Sequence, residues 1–240
     1  QVSLILISMK KGEITMNDIS IVTSKVPAHV QSGTRLGNEN VTPEHLSVPR
    51  VKQLQKMSNE VDKNHSDYMD GAEVGDFINT VTGENYGQEI YVVNVHFKEE
   101  FVLWVKREKG GGLVGSFESS SDATDYLEAE GKKLEDHEII QTQTHTLLRV
   151  DEKTGTISDI PFLFDCASSK LRVSREWNTQ IAKFGGDRFS SLWKMASVST
   201  SNRKGQAFMN IEVSRVDWLK DEAYQSVKAF YDASFADKAS

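Results

Sequence analysis

A single cysteine in 240 residues excludes a disulfide within the chain and every multi-cysteine metal site. Cys166 ends the apolar run Phe162-Leu163-Phe164-Asp165-Cys166, so it reads as a buried thiol rather than a nucleophile. Only four prolines and sixteen glycines argue against a long low-complexity linker. Long apolar runs are missing too. Val2 to Ser8 is apolar but too short to span a bilayer, and no basic stretch precedes it as in a signal peptide. The six histidines (His29, His45, His65, His96, His137, His145) lack metal-ligand spacing, and no nucleophile elbow, zinc-protease helix or kinase signature is present. Catalysis should leave a constellation of residues, and none is found. No catalytic residue, metal or cofactor is therefore expected. The acids Asp136, Glu138, Asp151 and Glu152, with Lys153, are the most that a Mg²⁺-dependent nuclease could draw on.

What is present begins with an oddity. The chain starts at Gln1, and Lys10-Lys11-Gly12-Glu13 precedes Met16 as a translated bacterial ribosome-binding site would. Residues 1–15 are accordingly expected to be leader sequence from a bacterial or phage gene. Residues 16–47, polar and weakly periodic, read as a flexible arm before a single β-rich domain over 48–240.

Within that domain, Val48 to Gln55 alternates like a half-buried strand, and Asp76 to Val81 is a short strand closed by Thr82-Gly83-Glu84-Asn85. Glu89 to Phe97 and Phe101 to Lys106 read as two strands about a charged corner, Lys98-Glu99-Glu100. Ser121 is expected to cap a short helix ending near Glu128. His137–Val150 and Ile157–Cys166 form a hairpin, residues 168–184 a helix, and Leu192–Val198 and Ala207–Val216 a second strand pair. A terminal amphipathic helix runs from about Lys220 to Phe235. The expected class is β-rich α+β: an OB-like barrel or a curled antiparallel sheet, with inserted helices and a C-terminal helix.

Charge is distributed unevenly. Residues 167–220 hold ten cations (Lys170, Arg172, Arg175, Lys183, Arg188, Lys194, Arg203, Lys204, Arg215, Lys220) against Glu176, Asp187, Glu212 and Asp217, a net +6. The whole chain is −7, so the remainder sums to −13. Trp177, Trp193 and Trp218, three of the four tryptophans, share that segment. Cations beside aromatic rings suit a single-stranded nucleic acid, whose phosphates want positive charge and whose unstacked bases want a π-face. Trp177 and Trp193, then Trp104, are the stacking candidates. Lys106, Arg107 and Lys109, which run into Gly110-Gly111-Gly112, join Lys170, Arg172, Arg175, Lys194, Arg203 and Lys204 as phosphate contacts. The competing reading is a phage structural or host-takeover protein that binds a protein partner, its tryptophans core and its acidic body able to mimic nucleic acid or pair with a basic partner.

Several blocks carry a resemblance: Pro49-Arg50 with Leu54-Gln55, Gly71-Ala72 with Gly75-Asp76-Phe77, and Thr80 with Thr82-Gly83-Glu84. Later come Ser168 to Leu171, Trp177-Asn178-Thr179, Trp193-Lys194-Met195 and Gly205 to Phe208. Together they resemble tailed-phage proteins encoded among replication and recombination genes. Trp177-Asn178-Thr179 and the strand after it are similar to a stretch of the T7-type phage single-stranded DNA-binding protein, an OB-fold. The resemblance implies a non-enzymatic single-stranded DNA binder in the host cytoplasm, with phage replication or recombination proteins as partners, no membrane, and self-association compatible with the role. T7-type proteins end in a strongly acidic tail; Ser234 to Ser240 is not one, so tail-mediated recruitment is not implied.

Overall fold

Long runs of β-branched and aromatic residues dictate the architecture. The computed structural model describes Leu36, Gly37, Asn40 and residues 47–235. The expected leader and nearly all of the expected arm lie outside these residues. Contact density divides the chain into units 1–46 and 47–240, and the second is described here.

Its elements, in order, are β1 (Val51–Gln53), β2 (Phe77–Asn79), β3 (Glu89–Val105), β4 (Leu113–Phe117), α1 (Ser120–Ala129), β5 (His137–Val150), β6 (Ile157–Ala167), α2 (Lys170–Phe184), β7 (Ser191–Ser201), β8 (Ala207–Trp218) and α3 (Asp221–Phe235). Six strands form one antiparallel sheet in the order β6-β5-β3-β7-β8, with β4 paired to the far half of β3. The sheet is open. Of the two β architectures expected from the sequence, the protein is the antiparallel sheet and not a closed barrel, and it carries the inserted helices and the C-terminal helix.

Three local readings need correction. Lys98-Glu99-Glu100 makes no corner: β3 passes straight through it, because β5 pairs with it residue for residue (Lys98 with Thr144, Glu100 with Thr142). Helix α1 is capped by Ser119, whose Oγ accepts from Asp122 N–H at 3.1 Å while the Asp122 carboxylate accepts from Ser119 N–H, a reciprocal box. The strand β4, which the glycine-rich turn brings back onto β3, was not foreseen.

Alternation along β3, β5, β6, β7 and β8 supplies a core from one face: Ile90, Val92, Leu147, Phe162, Phe164, Trp193, Met195, Ile211 and Val213. Helix α2 lays Val173 and Trp177 on it at i, i+4 spacing, with Ile181 partly buried at the next step. A second cluster gathers Val93, Val95, Leu148 and Phe189 under Val227 of α3, with Phe230 and Tyr231 beside them.

The segment before β2 ties the sheet's two edges together. Pro49 O accepts from Leu163 N–H on β6 at 2.8 Å, and Arg50 pairs with Asp165. A few residues on, Gln53 reaches Asn210 O at 2.8 Å, and the Gln55 amide bonds both the N–H and the C=O of Met209 on β8 at 2.9 Å. The strap thus satisfies edge groups that would otherwise invite pairing with another chain.

Gly75 closes this strap. Its N–H donates to Leu54 O at 2.9 Å, and its carbonyl accepts from Ser197 Oγ. It adopts φ +103°, and a Cβ there would lie 2.8 Å from Met209 Cε. The methionine end can move; the backbone angle cannot be reached cheaply by a side-chain-bearing residue. Gly75→Ala should cost about 1–3 kcal/mol in urea unfolding, whereas Gly83→Ala, also at positive φ but with open space around it, should lose only the backbone part.

Candidate functional site

The helical period of α2 decides the fate of its tryptophan. Trp177 shares a face with Val173 and Ile181, so it points into the sheet and is 0% exposed. Its ring stacks on His145 at 4.6 Å and meets Trp193 edge-on at 5.8 Å. Trp193, 1% exposed, alternates inward on β7 with Ser191 and Met195. Neither indole has a face to offer a base. This corrects their assignment as stacking residues: both complete the core.

The phosphate candidates fall into three groups. Lys106, Arg107 and Lys109 stand at the β3–β4 turn with Trp104, which is 39% exposed and sits opposite Leu113 and Glu138. Two of these cations are engaged: Lys109 pairs with Asp136 at 2.8 Å, and Lys106 Nζ donates to Glu135 O at 2.7 Å. The Asp136 contact holds the Lys109 pKa above its usual value and lowers that of Asp136.

Arg203 and Lys204 occupy the β7–β8 turn, at the opposite end of the sheet. β7 pairs with β3 only over Glu89–Val93 and then runs on past Glu89, away from Val105. Measured along the strands at about 3.3 Å per residue, the two turns are on the order of 70 Å apart. Lys194, between them, is bound to Glu89 at 2.7 Å, which raises its pKa. The structure does not bring these groups together.

The third group is on α2. Lys170 is partly buried at its start, and burial lowers its pKa. Arg172, Arg175, Thr179, Ala182 and Lys183 are all exposed and share the helix's solvent side, with Glu176 paired to Arg172 at 2.6 Å. From Arg172 to Lys183 this stripe runs for about 17 Å at 1.5 Å rise per residue. At the C-terminal end of α2 stand two rings that sequence reasoning passed over, on the side of the helix that carries Trp177 and Ile181 rather than on the stripe itself. Phe184, the last residue of α2, is 44% exposed, and Trp218, the last of β8, is 49% exposed. They meet edge-to-face at 6.4 Å, and the Arg215 guanidinium lies 4.0 Å from the Trp218 ring centroid and 4.7 Å from that of Phe184. Arg215 Nε donates to Ser191 Oγ at 3.0 Å, which fixes the platform to the start of β7. The signal for Trp218 was only its place in the basic segment; burial at a strand end is not written in local periodicity.

Behind this surface runs a buried polar chain. Arg188 donates to Asn178 Oδ1 at 2.9 Å and to Asn94 Oδ1 at 3.4 Å. The Asn94 amide then faces His145 Nδ1 at 2.9 Å, leaving His145 Nε2–H to donate to Ser174 Oγ at 2.8 Å. Burial, with Arg188 nearby, pushes the His145 pKa down to about 3, so the ring is neutral at pH 7. In Trp177-Asn178-Thr179, therefore, the first residue is core and the second positions Arg188. The third donates back to the Arg175 carbonyl at 2.8 Å. Cys166 is buried, and burial raises its thiol pKa to about 12. No helix among the described residues is long and apolar enough to cross a membrane.

The molecule is thus an open-sheet α+β protein presenting a basic helix face and, at that helix's C-terminal end, a half-exposed aromatic pair. Comparison with protein families identifies its origin: the family described as Pam3 phage gp34-like protein matches residues 17–240, and the chain belongs to it. It is a bacteriophage protein. No curated protein and no solved structure matches it.

Proposed function

We propose that this phage protein binds single-stranded DNA without catalysing a reaction. The strand would run along the solvent face of α2 and turn over its C-terminal end onto the Phe184–Trp218 pair. The observation that carries the reading is that pair: two half-exposed rings, held by Arg215, at the C-terminal end of the helix whose solvent side carries Arg172, Arg175 and Lys183. Phosphates would meet the three cations, and bases would stack on Trp218 and Phe184, a combination that tolerates any sequence. The stacking role first given to Trp177 and Trp193 passes to these rings. Non-specific strand binding is what replication and recombination require of an accessory protein, and it needs neither metal nor cofactor.

A second reading, recognition of a protein partner through the same surface, is favoured by the burial of Trp177 and Trp193 and the dispersal of the other cations. Exposed Trp beside Arg is also what protein interfaces use as anchors.

Equilibrium binding to oligo-dT separates the two. Trp218→Ala should weaken binding by about 1–3 kcal/mol, the worth of one stacked base. Arg175→Gln should flatten the slope of log K against log salt by about 0.7, the value for one phosphate contact on a single strand. Negligible affinity at low salt would favour the protein partner.

A further inference from the structure

β8 is the last strand of the sheet and is paired on one side only, by β7. In an antiparallel sheet each residue directs its N–H and C=O to the same side, and successive residues alternate sides. Two observations fix that alternation on β8. Met209 N–H and C=O both meet the Gln55 amide, outside the sheet. Ser197, opposite Ile211, donates its N–H to Gln88 O, on the β3 side of β7, and so not to β8. Ile211, Val213 and Arg215 therefore direct their backbone groups outward, and the ladder is regular as far as Arg215. Ile211 N–H is satisfied by Asn210 Oδ1 at 2.9 Å. Among the described residues no hydrogen bond reaches the C=O of Ile211 or either backbone group of Val213 and Arg215. The strap guards this edge at Met209 and leaves about 13 Å of it open from Ile211 to Arg215, at 3.3 Å per residue.

A cavity of about 410 Å³ opens between α2 and β8, lined by Val173, Trp177 and Gln180 from the helix and by Ile211, Glu212 and Val213 from the strand. Val173, Trp177, Ile211 and Val213 are buried members of the core, so its floor is apolar. Arg172 and Glu176 also line it, and they neutralise each other at 2.6 Å. Glu212 differs: it is exposed, and no cation among the described residues pairs with it. Lys194, two residues along β7 from Ala196, the cross-strand neighbour of Glu212, is bound to Glu89 at 2.7 Å. Free backbone groups, an apolar floor and one unbalanced negative charge thus lie side by side.

We propose that the outer edge of β8 over Ile211–Arg215 takes an extended segment of a protein partner as an added strand. A Lys or Arg of that segment stands opposite Glu212, between apolar residues opposite Ile211 and Val213, one of which enters the cavity under α2. Main-chain hydrogen bonds supply affinity, and the apolar contact and the cross-strand charge pair set register. Single-stranded DNA has no amide to donate to the Ile211 and Val213 carbonyls in a ladder, and Glu212 repels its phosphates. A second copy of β8 also fits less well. In a two-fold pairing centred on Val213, Glu212 would face Ser214 of the copy and lie diagonal to the copy's Glu212, with no cation to meet it. Strand binding uses the outer side chains of α2 and two rings rather than the β8 backbone, so either site can fail alone.

The test is selection of random eight-residue peptides displayed against the full chain, followed by amide hydrogen exchange with a selected peptide. Selected sequences should share a Lys or Arg between two apolar residues. In the free protein the Val213 and Arg215 amides should exchange fast while those of Glu212 and Ser214, directed at β7, are slow; the peptide should slow the first two as well. Glu212→Lys, a change at an exposed site, should weaken binding about fivefold, the upper worth of one cross-strand charge pair. A peptide with its basic residue changed to Glu should recover affinity on that variant. The same peptide should bind unaltered protein about fivefold more weakly than its parent, which keeps the test decisive should the variant not fold. An empty selection would overturn the proposal, as would binding indifferent to these charge exchanges or protection confined to other amides. So would slowing of the Val213 and Arg215 amides by oligo-dT, or by raised protein concentration alone, which would assign the edge to nucleic acid or to a second copy.

Discussion

Replacing Trp177 by alanine should destabilise the protein by about 3–5 kcal/mol, the range for emptying a large aromatic site in a core. The ring is closed off from solvent, stacked on His145 and edge-on to Trp193, so its removal opens a void under α2 that three strands cannot collapse to fill. A domain of this size has about 5–15 kcal/mol of stability in all, so the loss is a large fraction of it. Urea unfolding of wild type and variant, followed by circular dichroism, measures it. Any loss of DNA binding in Trp177→Ala should track the folded fraction and vanish when binding is referred to folded protein. A variant that folds as firmly as wild type would mean the ring is not core.

Acid should unfold the protein earlier than its carboxylates alone would dictate. His145 is neutral in the fold with a pKa near 3, while an unfolded histidine titrates near 6.5. Between those values the unfolded chain binds the extra proton, so stability falls as pH falls. The contribution is fully present above pH 6.5 and withdraws progressively toward pH 3. At about 1.4 kcal/mol per pH unit it amounts to roughly 4–5 kcal/mol over the full window. Protonation would also break the bond that His145 Nδ1 accepts from Asn94, and would set two cations, His145 and Arg188, on one buried chain. Urea midpoints at pH 7, 5.5 and 4 should drop steeply in wild type. In His145→Gln, which has nothing to protonate there, the starting stability should be lower and the slope across pH 5–6.5 nearly flat. Equal slopes in the two proteins would remove His145 as the cause.

The sheet was largely legible because its strands follow local rules. β5, β6, β7, β8 and the C-terminal helix fall close to where alternation and helical spacing place them. The break at Lys98-Glu99-Glu100 and the omission of β4 share one cause: pairing partners distant in sequence override weak local propensity. The candidate site was less legible. Within α2, spacing already set Trp177 beside Ile181 and away from Arg172 and Arg175, and that pattern pointed to burial more strongly than the regional clustering pointed to stacking. Clustering in sequence did not become clustering in space, because β7 carries Arg203 and Lys204 one way while β3 carries Lys106, Arg107 and Lys109 the other. Arg188, Asn94, His145 and Ser174 meet only in the fold, from four separate elements.

The most direct test of the strand-binding account is tryptophan fluorescence of the full chain titrated with oligo-dT at low and high salt, alongside Trp218→Phe. Trp177 and Trp193 are shielded and Trp104 stands on β3 by the β3–β4 turn rather than beside Phe184, so the account assigns the change chiefly to Trp218. The account predicts quenching at low salt that added salt reverses, most of whose amplitude disappears in Trp218→Phe while that protein still binds. A flat low-salt titration of folded wild-type protein would contradict it.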